Sequence, residues 1–160
     1  MNNSFEREMV QCFNRYFTEH RLIGFAYRLK QGRFNTQYVD IVVDSCVPNF
    51  YLTVECKSLK GTRLSFTSNF HKDKDDVHQI DNISGFIKYT GRTGYLAVEF
   101  RNGKKNEAFL MPWKLVEEYY VSAKSIPIES FKNCICLERI TGGYRLPDKG
   151  LLAENENLEK

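Results

Sequence analysis

Hydrophobic and polar positions follow two periods along this chain, one near 3.6 residues and one near 2, which indicate helices and strands respectively. Over residues 4–20 the apolar positions recur at helical spacing, so an amphipathic helix is expected there. The same spacing returns over about 75–90, and Gly91 is expected to end that helix. Pro112 is expected to open a short helix that runs to about residue 120, because proline suits a first helical turn.

Short apolar runs bounded by turn residues predict the strands. They lie at about 25–29, 38–44, 50–57, 94–100 and 107–111, with a candidate last strand at 133–139. The turn at 47–49 makes the second and third of these strands an antiparallel pair. No segment repeats, and residues 1–140 are expected to form one α/β domain. After residue 140 the chain turns polar and loses periodicity, which predicts a flexible tail over 141–160.

The composition narrows the class of protein. Apolar residues make up 42% of the chain and aromatic residues 14%, which is ordinary globular content rather than disorder. There is no apolar run of about 18 residues and no basic start followed by an apolar stretch, so neither a membrane span nor a secretory signal is expected. The five cysteines lack zinc-type spacing, and we expect reduced thiols in a cytoplasmic protein.

Basic residues are concentrated in three clusters, although the net charge at pH 7 is only +3. The clusters are Arg28, Lys30 and Arg33; Lys57 with the long polar segment 58–74; and Arg101, Lys104 and Lys105. The second cluster holds five basic residues against one acid, Asp73. A single cluster of this kind is usually a solvated loop, but three of them near one candidate site indicate a surface for a polyanion.

Charged residues interrupt the second and third predicted strands, where a charge among valine, isoleucine and leucine needs a partner. Because strand side chains alternate between faces, Asp40 and Glu55 can meet if their strands are neighbours, and Lys57 follows on the same face. Two carboxylates, a backbone carbonyl and water form the oxygen environment that Mg²⁺ prefers. A lysine beside them can hold an attacking water or stabilise charge on a phosphate. The competing interpretation is a partly buried ion pair of these acids with Lys57 or Arg28.

A third carboxylate can reach this site from the first helix. Helical geometry places Glu6 on the apolar stripe with Phe13 and Phe17, whereas Glu8 falls on the opposite side and is expected to be solvated. An acid on an apolar stripe needs a partner, which the metal site would supply.

Three polar residues near the second predicted helix have less specific interpretations. Gln79 borders the apolar stripe, so its amide is either on the helix surface or in contact with the site lysine or a nucleotide phosphate. His71 and His78 are expected to be surface residues. Neither is assigned as a general base, because the sequence shows no serine or cysteine nucleophile constellation around them.

A strand acid followed by E-x-K, here Asp40 and Glu55-Cys56-Lys57, resembles the PD-(D/E)xK nuclease superfamily. The order of motifs is similar to the archaeal Holliday junction resolvase family of the Hjc type. That family begins with a helix carrying an ERE motif followed by apolar residues, matched by residues 6–10, and "GFA" at 24–26 then opens the first strand. The "LAV-x-F" strand is matched by 96–100, so the resemblance covers about residues 5–118.

The resemblance implies a restriction-endonuclease-like α/β fold with a mixed central sheet flanked by helices. It implies a homodimeric, Mg²⁺-dependent endonuclease that nicks opposed strands of a four-way DNA junction and leaves 5′-phosphates. The implied catalytic residues are Glu6, Asp40, Glu55 and Lys57. Mg²⁺, for which Mn²⁺ would substitute, would be bound by Asp40, Glu55 and the backbone carbonyl of Cys56. Glu6 would hold a water on the ion or a second ion, and Lys57 would position the nucleophilic water. The residues expected to contact DNA are Arg7, Arg28, Lys30, Arg33, Lys60, Arg63, Lys72 and Gln79.

The chain departs from the pattern of that family in several places. The loop over 29–37 has no serine, Arg28 stands one residue early, and the MNNS start carries no basic residue. The segment 58–74 is longer than expected, and its Phe66 and Phe70 are candidates for DNA contact or a subunit interface. Three alternatives stay open. They are a restriction or repair endonuclease of the same fold that cuts duplex DNA, a junction-binding protein that does not cleave, and an α/β domain that binds a small molecule or a protein.

Overall fold

The computed structural model describes residues 4–30, 37–103 and 105–151. Its helices are α1 (Ser4–Glu19), α2 (Gln79–Thr90), α3 (Trp113–Ser122) and α4 (Ile128–Lys132). Its strands are β1 (Phe25–Arg28), β2 (Ile41–Asp44), β3 (Leu52–Leu59), β4 (Arg63–Ser65), β5 (Thr93–Asn102), β6 (Lys105–Pro112), β7 (Ser125–Pro127), β8 (Ile135–Ile140) and β9 (Gly143–Arg145). No described helix is both long and apolar enough to cross a membrane.

Seven of the described strands form one mixed sheet in the order β1-β2-β3-β5-β6-β8-β9. β3 and β5 are parallel, and α2 lies in the crossover that such a connection requires. The other neighbouring strands of this sheet are antiparallel, including the predicted pair β2 and β3. β4 and β7 pair in a separate small sheet.

The alternation of side chains along the strands gives the sheet two apolar faces. On one face, α1 buries Phe5, Met9 and Phe13 against strand residues such as Val54. On the other face, α2, α3, α4 and the segment 64–70 pack over β5 and β6. The protein is therefore a mixed α/β fold with a central sheet flanked by helices, and at that level the predicted fold is confirmed.

The beginning of α2 differs from its prediction, because the helix starts at Gln79 rather than near residue 75. The carboxylate Oδ1 of Asp73 accepts hydrogen bonds from the backbone of Asp75 and Val77, and this folds the preceding residues into a turn. His78 then caps the helix with its side chain, and Gly91 ends it in the left-handed conformation as expected.

The polar segment 58–74 is folded onto the domain. β3 extends through Leu59, and β4 pairs with β7, a strand about 60 positions further along the chain. Phe66 and Phe70 are buried in the core on the side of α2. The expectation that these two side chains contact DNA or a second subunit is therefore corrected, since neither is at the surface.

The predicted flexible tail over 141–160 is wrong for residues 143–151. β9 pairs with β8, and Tyr144, Leu146 and Leu151 are buried against α1 and the sheet. Residues 152–160 lie outside the described part of the chain. The predicted domain boundary at residue 140 therefore falls within a folded hairpin, because β9 contributes a fully buried aromatic ring to the core.

This C-terminal hairpin also covers the polar side of α1. Glu8 forms an ion pair with Arg139 at 2.7 Å, and Glu19 pairs with Arg145 at 3.0 Å. The expectation that Glu8 is solvated is therefore wrong. Its side chain is only 20% exposed, because arginines of β8 and β9 pair with the acids of α1 that would otherwise be hydrated.

Candidate active site

The candidate site lies where β2 and β3 diverge. The two strands pair as far as Ile41 and Val54, and Asp40 precedes β2 by one residue. Beyond that pair the ladder is continued by the Asp40 side chain, whose Oδ2 accepts a hydrogen bond of 2.8 Å from the backbone N–H of Cys56. Gln37 donates to Oδ1 of the same carboxylate at 3.0 Å. Asp40 is thereby fixed in the gap between the strands.

Glu55, which belongs to β3, lies beside Asp40, and the two carboxyl groups are hydrogen-bonded to each other. Glu55 is only 3% exposed. Burial raises the pKa of Glu55 well above its ordinary value, the charge of Asp40 raises it further, and Lys57 lowers it. Burial also raises the pKa of Asp40, against the Cys56 N–H and the charge of Lys57. Both shifts favour the protonated form of the pair, and the shift is the larger at Glu55.

The donor set at this gap fits a hydrated divalent cation. In an extended strand the N–H and C=O of one residue point to the same side, so the Cys56 carbonyl faces the gap into which its N–H donates. Two carboxylates and this carbonyl are hard oxygen ligands, and Mg²⁺ commonly takes few protein ligands and keeps its waters. Within the described residues, no three His, Cys, Asp or Glu side chains converge to hold a metal. Asp40, Glu55 and the Cys56 carbonyl would supply three oxygen ligands, and water would complete the coordination of such an ion.

Lys57 is held at the site by three groups. Its Nζ lies 3.3 Å from Glu55 Oε1, donates to Gln79 Oε1 at 3.3 Å, and sits 4.7 Å from the centre of the Phe70 ring. Gln79 also donates from Nε2 to Glu55 Oε1 at 2.9 Å. Of the two contacts predicted for the Gln79 amide, the structure contains the one to the site lysine. The ammonium group is fixed beside the acid pair, with 18% of the side chain exposed.

Glu6 reaches the edge of this site from α1. Its pKa is raised by partial burial and by the charge of Asp40, and is lowered by Arg28, so the glutamate lies close enough to interact with Asp40. Its direct partner is Arg28, at 2.8 Å. Glu6 therefore lies within electrostatic range of Asp40, while Arg28, which the sequence predicts to contact DNA, forms an ion pair with that glutamate.

Most of the other residues predicted to contact DNA are exposed. The exposed residues are Arg7, Lys30, Lys60, Arg63 and Lys72. Lys72 forms an ion pair with Asp76 at 3.3 Å, and Arg63 Nε donates to Ser125 Oγ at 3.0 Å. Arg33 and Lys104 lie outside the described residues.

The sequence does not predict the positions of two residues in this region, Lys124 and His78. Lys124 is exposed at the end of the small sheet opposite Phe66, because β7 pairs with β4 and the Lys124 carbonyl accepts from Phe66 N–H at 3.1 Å. His78, expected at the surface, is half-buried, and its ring lies against Phe70. Only long-range pairing reveals Lys124. The only local sign that His78 caps α2 is its position directly before the apolar stripe of that helix.

No known family model and no curated protein sequence matches this chain. Among solved structures, the fold is similar to that of Hjc, a Holliday junction resolvase from the archaeal hyperthermophile Archaeoglobus fulgidus. The TM-score is 0.55 with 17% sequence identity, over 82% of this chain and 92% of that chain. The likeness therefore shows a shared fold over most of both chains.

Proposed function

We propose that this protein is a metal-dependent endonuclease of the PD-(D/E)xK type that cuts branched DNA. The observation that carries the proposal is the meeting of Asp40, Glu55 and Lys57 at the point where β2 and β3 separate. Two carboxyl groups buried side by side cost free energy, and such pairs are common at functional sites. The oxygen donors of this pair support a divalent cation as its partner.

Each side chain then has a separate part in phosphodiester hydrolysis. Asp40, Glu55 and the Cys56 carbonyl would hold Mg²⁺ or Mn²⁺, which supplies charge to polarise the phosphate and lowers the pKa of bound water. Lys57 would orient the attacking water and neutralise charge on the phosphate oxygens. Glu6 would accept a hydrogen bond from a water at the edge of the site once Arg28 turns to a DNA phosphate.

The exposed basic residues suit the backbone of DNA rather than its bases. Lys60 and Arg63 lie on the segment that also carries Phe70, and the exposed Lys124 lies opposite Phe66, directly before β7 of the small sheet. Cations of this kind bind phosphates without reading sequence, so recognition should follow the shape of the DNA, and affinity should fall steeply with salt.

The choice of a four-way junction rests on the fold shared with the Archaeoglobus protein, which is a Holliday junction resolvase. Under this proposal the chain acts as a homodimer, because a two-fold pair of sites matches the near two-fold symmetry of a junction. Paired nicks with 5′-phosphates are the expected products.

The test is cleavage of a labelled four-way junction and of a linear duplex with the same arms. Wild type, Glu55→Gln and the exposed control Glu107→Gln are compared in Mg²⁺ and in EDTA. Paired nicks on the junction alone, lost in EDTA and in Glu55→Gln but retained in Glu107→Gln, support a resolvase that uses this site. Equal cutting of both substrates indicates a general duplex endonuclease. Junction binding without cutting in Mg²⁺ or Mn²⁺ would mean that the acids and Lys57 are structural.

A further inference from the structure

His78 joins the beginning of α2 to the segment that precedes it. Its Nδ1 accepts a hydrogen bond of 3.1 Å from the backbone N–H of Ile80, which makes it the cap of the helix. Its Nε2 lies 2.8 Å from the carbonyl oxygen of Phe66. Since Nδ1 accepts from an N–H, the ring proton is on Nε2, which donates to that carbonyl. One neutral imidazole therefore makes both contacts.

The imidazole also packs against two aromatic residues, of which Phe70 lies beneath the site lysine. Its ring centre lies 4.9 Å from that of Tyr120 and 6.1 Å from that of Phe70. Phe70 in turn lies under the Lys57 ammonium at 4.7 Å. A shift of the histidine ring would therefore remove support from the aromatic surface on which the lysine rests.

Gln79 follows the cap directly and is the first residue of α2. Its side chain holds Glu55 and Lys57 at 2.9 and 3.3 Å, and its backbone N–H donates to the carbonyl of His71 at 2.8 Å. The first turn of a helix has N–H groups without partners inside the helix, so it frays unless a cap satisfies them. The position of the Gln79 amide thus depends on the contact between His78 and Ile80.

We infer that His78 is a positioning residue of the candidate active site. By capping α2 it fixes the Gln79 amide between Glu55 and Lys57. This inference rests on the proposed nuclease function, because Lys57 is the group that it places. It assigns to the histidine a role in the rate of cleavage, separate from any general contribution to folding.

Two substitutions separate the hydrogen bonds of the ring. The amide oxygen of asparagine takes the place of Nδ1, so His78→Asn keeps the cap on Ile80. The amide of glutamine reaches the position of Nε2, so His78→Gln keeps the contact with Phe66 but caps the helix poorly. We expect His78→Asn to cleave within about threefold of wild type, and His78→Gln to cleave about five- to tenfold more slowly, the loss that a missing cap implies. Affinity for the junction, measured without metal, should stay unchanged in both variants.

The effect should pass through the neighbouring glutamine. In a Gln79→Ala background, adding His78→Gln should cause no further loss in the single-turnover cleavage rate, because the group being positioned is already gone. Asn14→Ala is the matched structural control, since Asn14 also makes two hydrogen bonds, to the backbone N–H and carbonyl of Ala26 on the opposite face of the sheet. It should lower the melting temperature without slowing cleavage by the folded protein.

Two results would overturn the inference. Equal losses in His78→Asn and His78→Gln that add fully to Gln79→Ala would show that the ring acts only in folding. A wild-type protein that cleaves no DNA would overturn both this inference and the proposed function. The first of these results, seen with an active wild type, would overturn the inference alone.

Discussion

Replacing Glu55 with glutamine is expected to stabilise the metal-free protein while it abolishes cleavage. The pKa of Glu55 is raised by burial and by Asp40, so the folded protein keeps this carboxyl protonated at pH values where the unfolded chain has released the proton. Above the ordinary value of 4.5, the folded state therefore binds more protons, and the free energy of unfolding falls as the pH rises. Glutamine resembles the protonated acid and removes this dependence.

The size of the gain follows from removing a buried acid. Replacing buried ionisable groups with neutral side chains of similar volume is often stabilising, by about 1 to 4 kcal/mol. The lost contact with Lys57 at 3.3 Å offsets part of that. We therefore expect Glu55→Gln to raise the free energy of unfolding at pH 8 by about 1 to 2 kcal/mol, and by much less at pH 4.

Urea unfolding in EDTA at the two pH values is the assay. Glu107→Gln, an exposed acid on β6, is the matched control and should change the free energy of unfolding by less than about 0.5 kcal/mol at either pH. A Glu55→Gln protein less stable than wild type at pH 8 would refute the reasoning. It would mean that Glu55 is ionised in the folded state and stabilised by Lys57.

Three further changes test other parts of the account. Lys57→Met should slow single-turnover cleavage by about a hundredfold or more with little change in junction affinity, because it removes charge stabilisation at the phosphate. Tyr144→Phe removes the 2.6 Å hydrogen bond to buried Glu99 and should cost about 1 to 3 kcal/mol in urea unfolding, whereas Tyr89→Phe, 87% exposed, should cost almost nothing. Lys124→Ala should weaken binding to all DNA sequences alike and reduce the slope of affinity against salt by about one; an unchanged slope would remove Lys124 from the DNA surface.

The parts of the site that sequence predicts are those that depend on local periodicity. The amphipathic pattern of α1 places Glu6 toward the sheet, and alternation along β3 places Glu55 and Lys57 on one face. Asp40 meets them although it stands just outside β2, because the divergence of the strands turns its side chain toward Cys56. No local pattern specifies that divergence.

The parts that the sequence does not predict depend on partners far along the chain. The sequence around β9 is polar and lacks periodicity, so no strand is predicted there. Tyr144 is nevertheless buried, and its hydroxyl donates a hydrogen bond to Glu99 on β5. In the sequence, β4 is only part of the polar segment 58–74, because its partner β7 is about 60 residues away. The sequence predicts that His78 is a surface residue. It is half-buried because its ring nitrogens bond to the carbonyl of Phe66 and the N–H of Ile80, and the first of these contacts depends on the fold of the preceding segment.

The claim on which the account depends is that Asp40 and Glu55 form a metal site. The most direct measurement is calorimetric titration with Mn²⁺ at pH 7, in two buffers of different ionisation enthalpy, for wild type, Asp40→Asn and the exposed control Asp76→Asn. Because burial raises the pKa of both carboxyl groups and a cation would displace the protons they hold, the account predicts Mn²⁺ binding with proton release in wild type and Asp76→Asn, and none in Asp40→Asn. Binding that persists in Asp40→Asn, or that releases no proton in wild type, would contradict it.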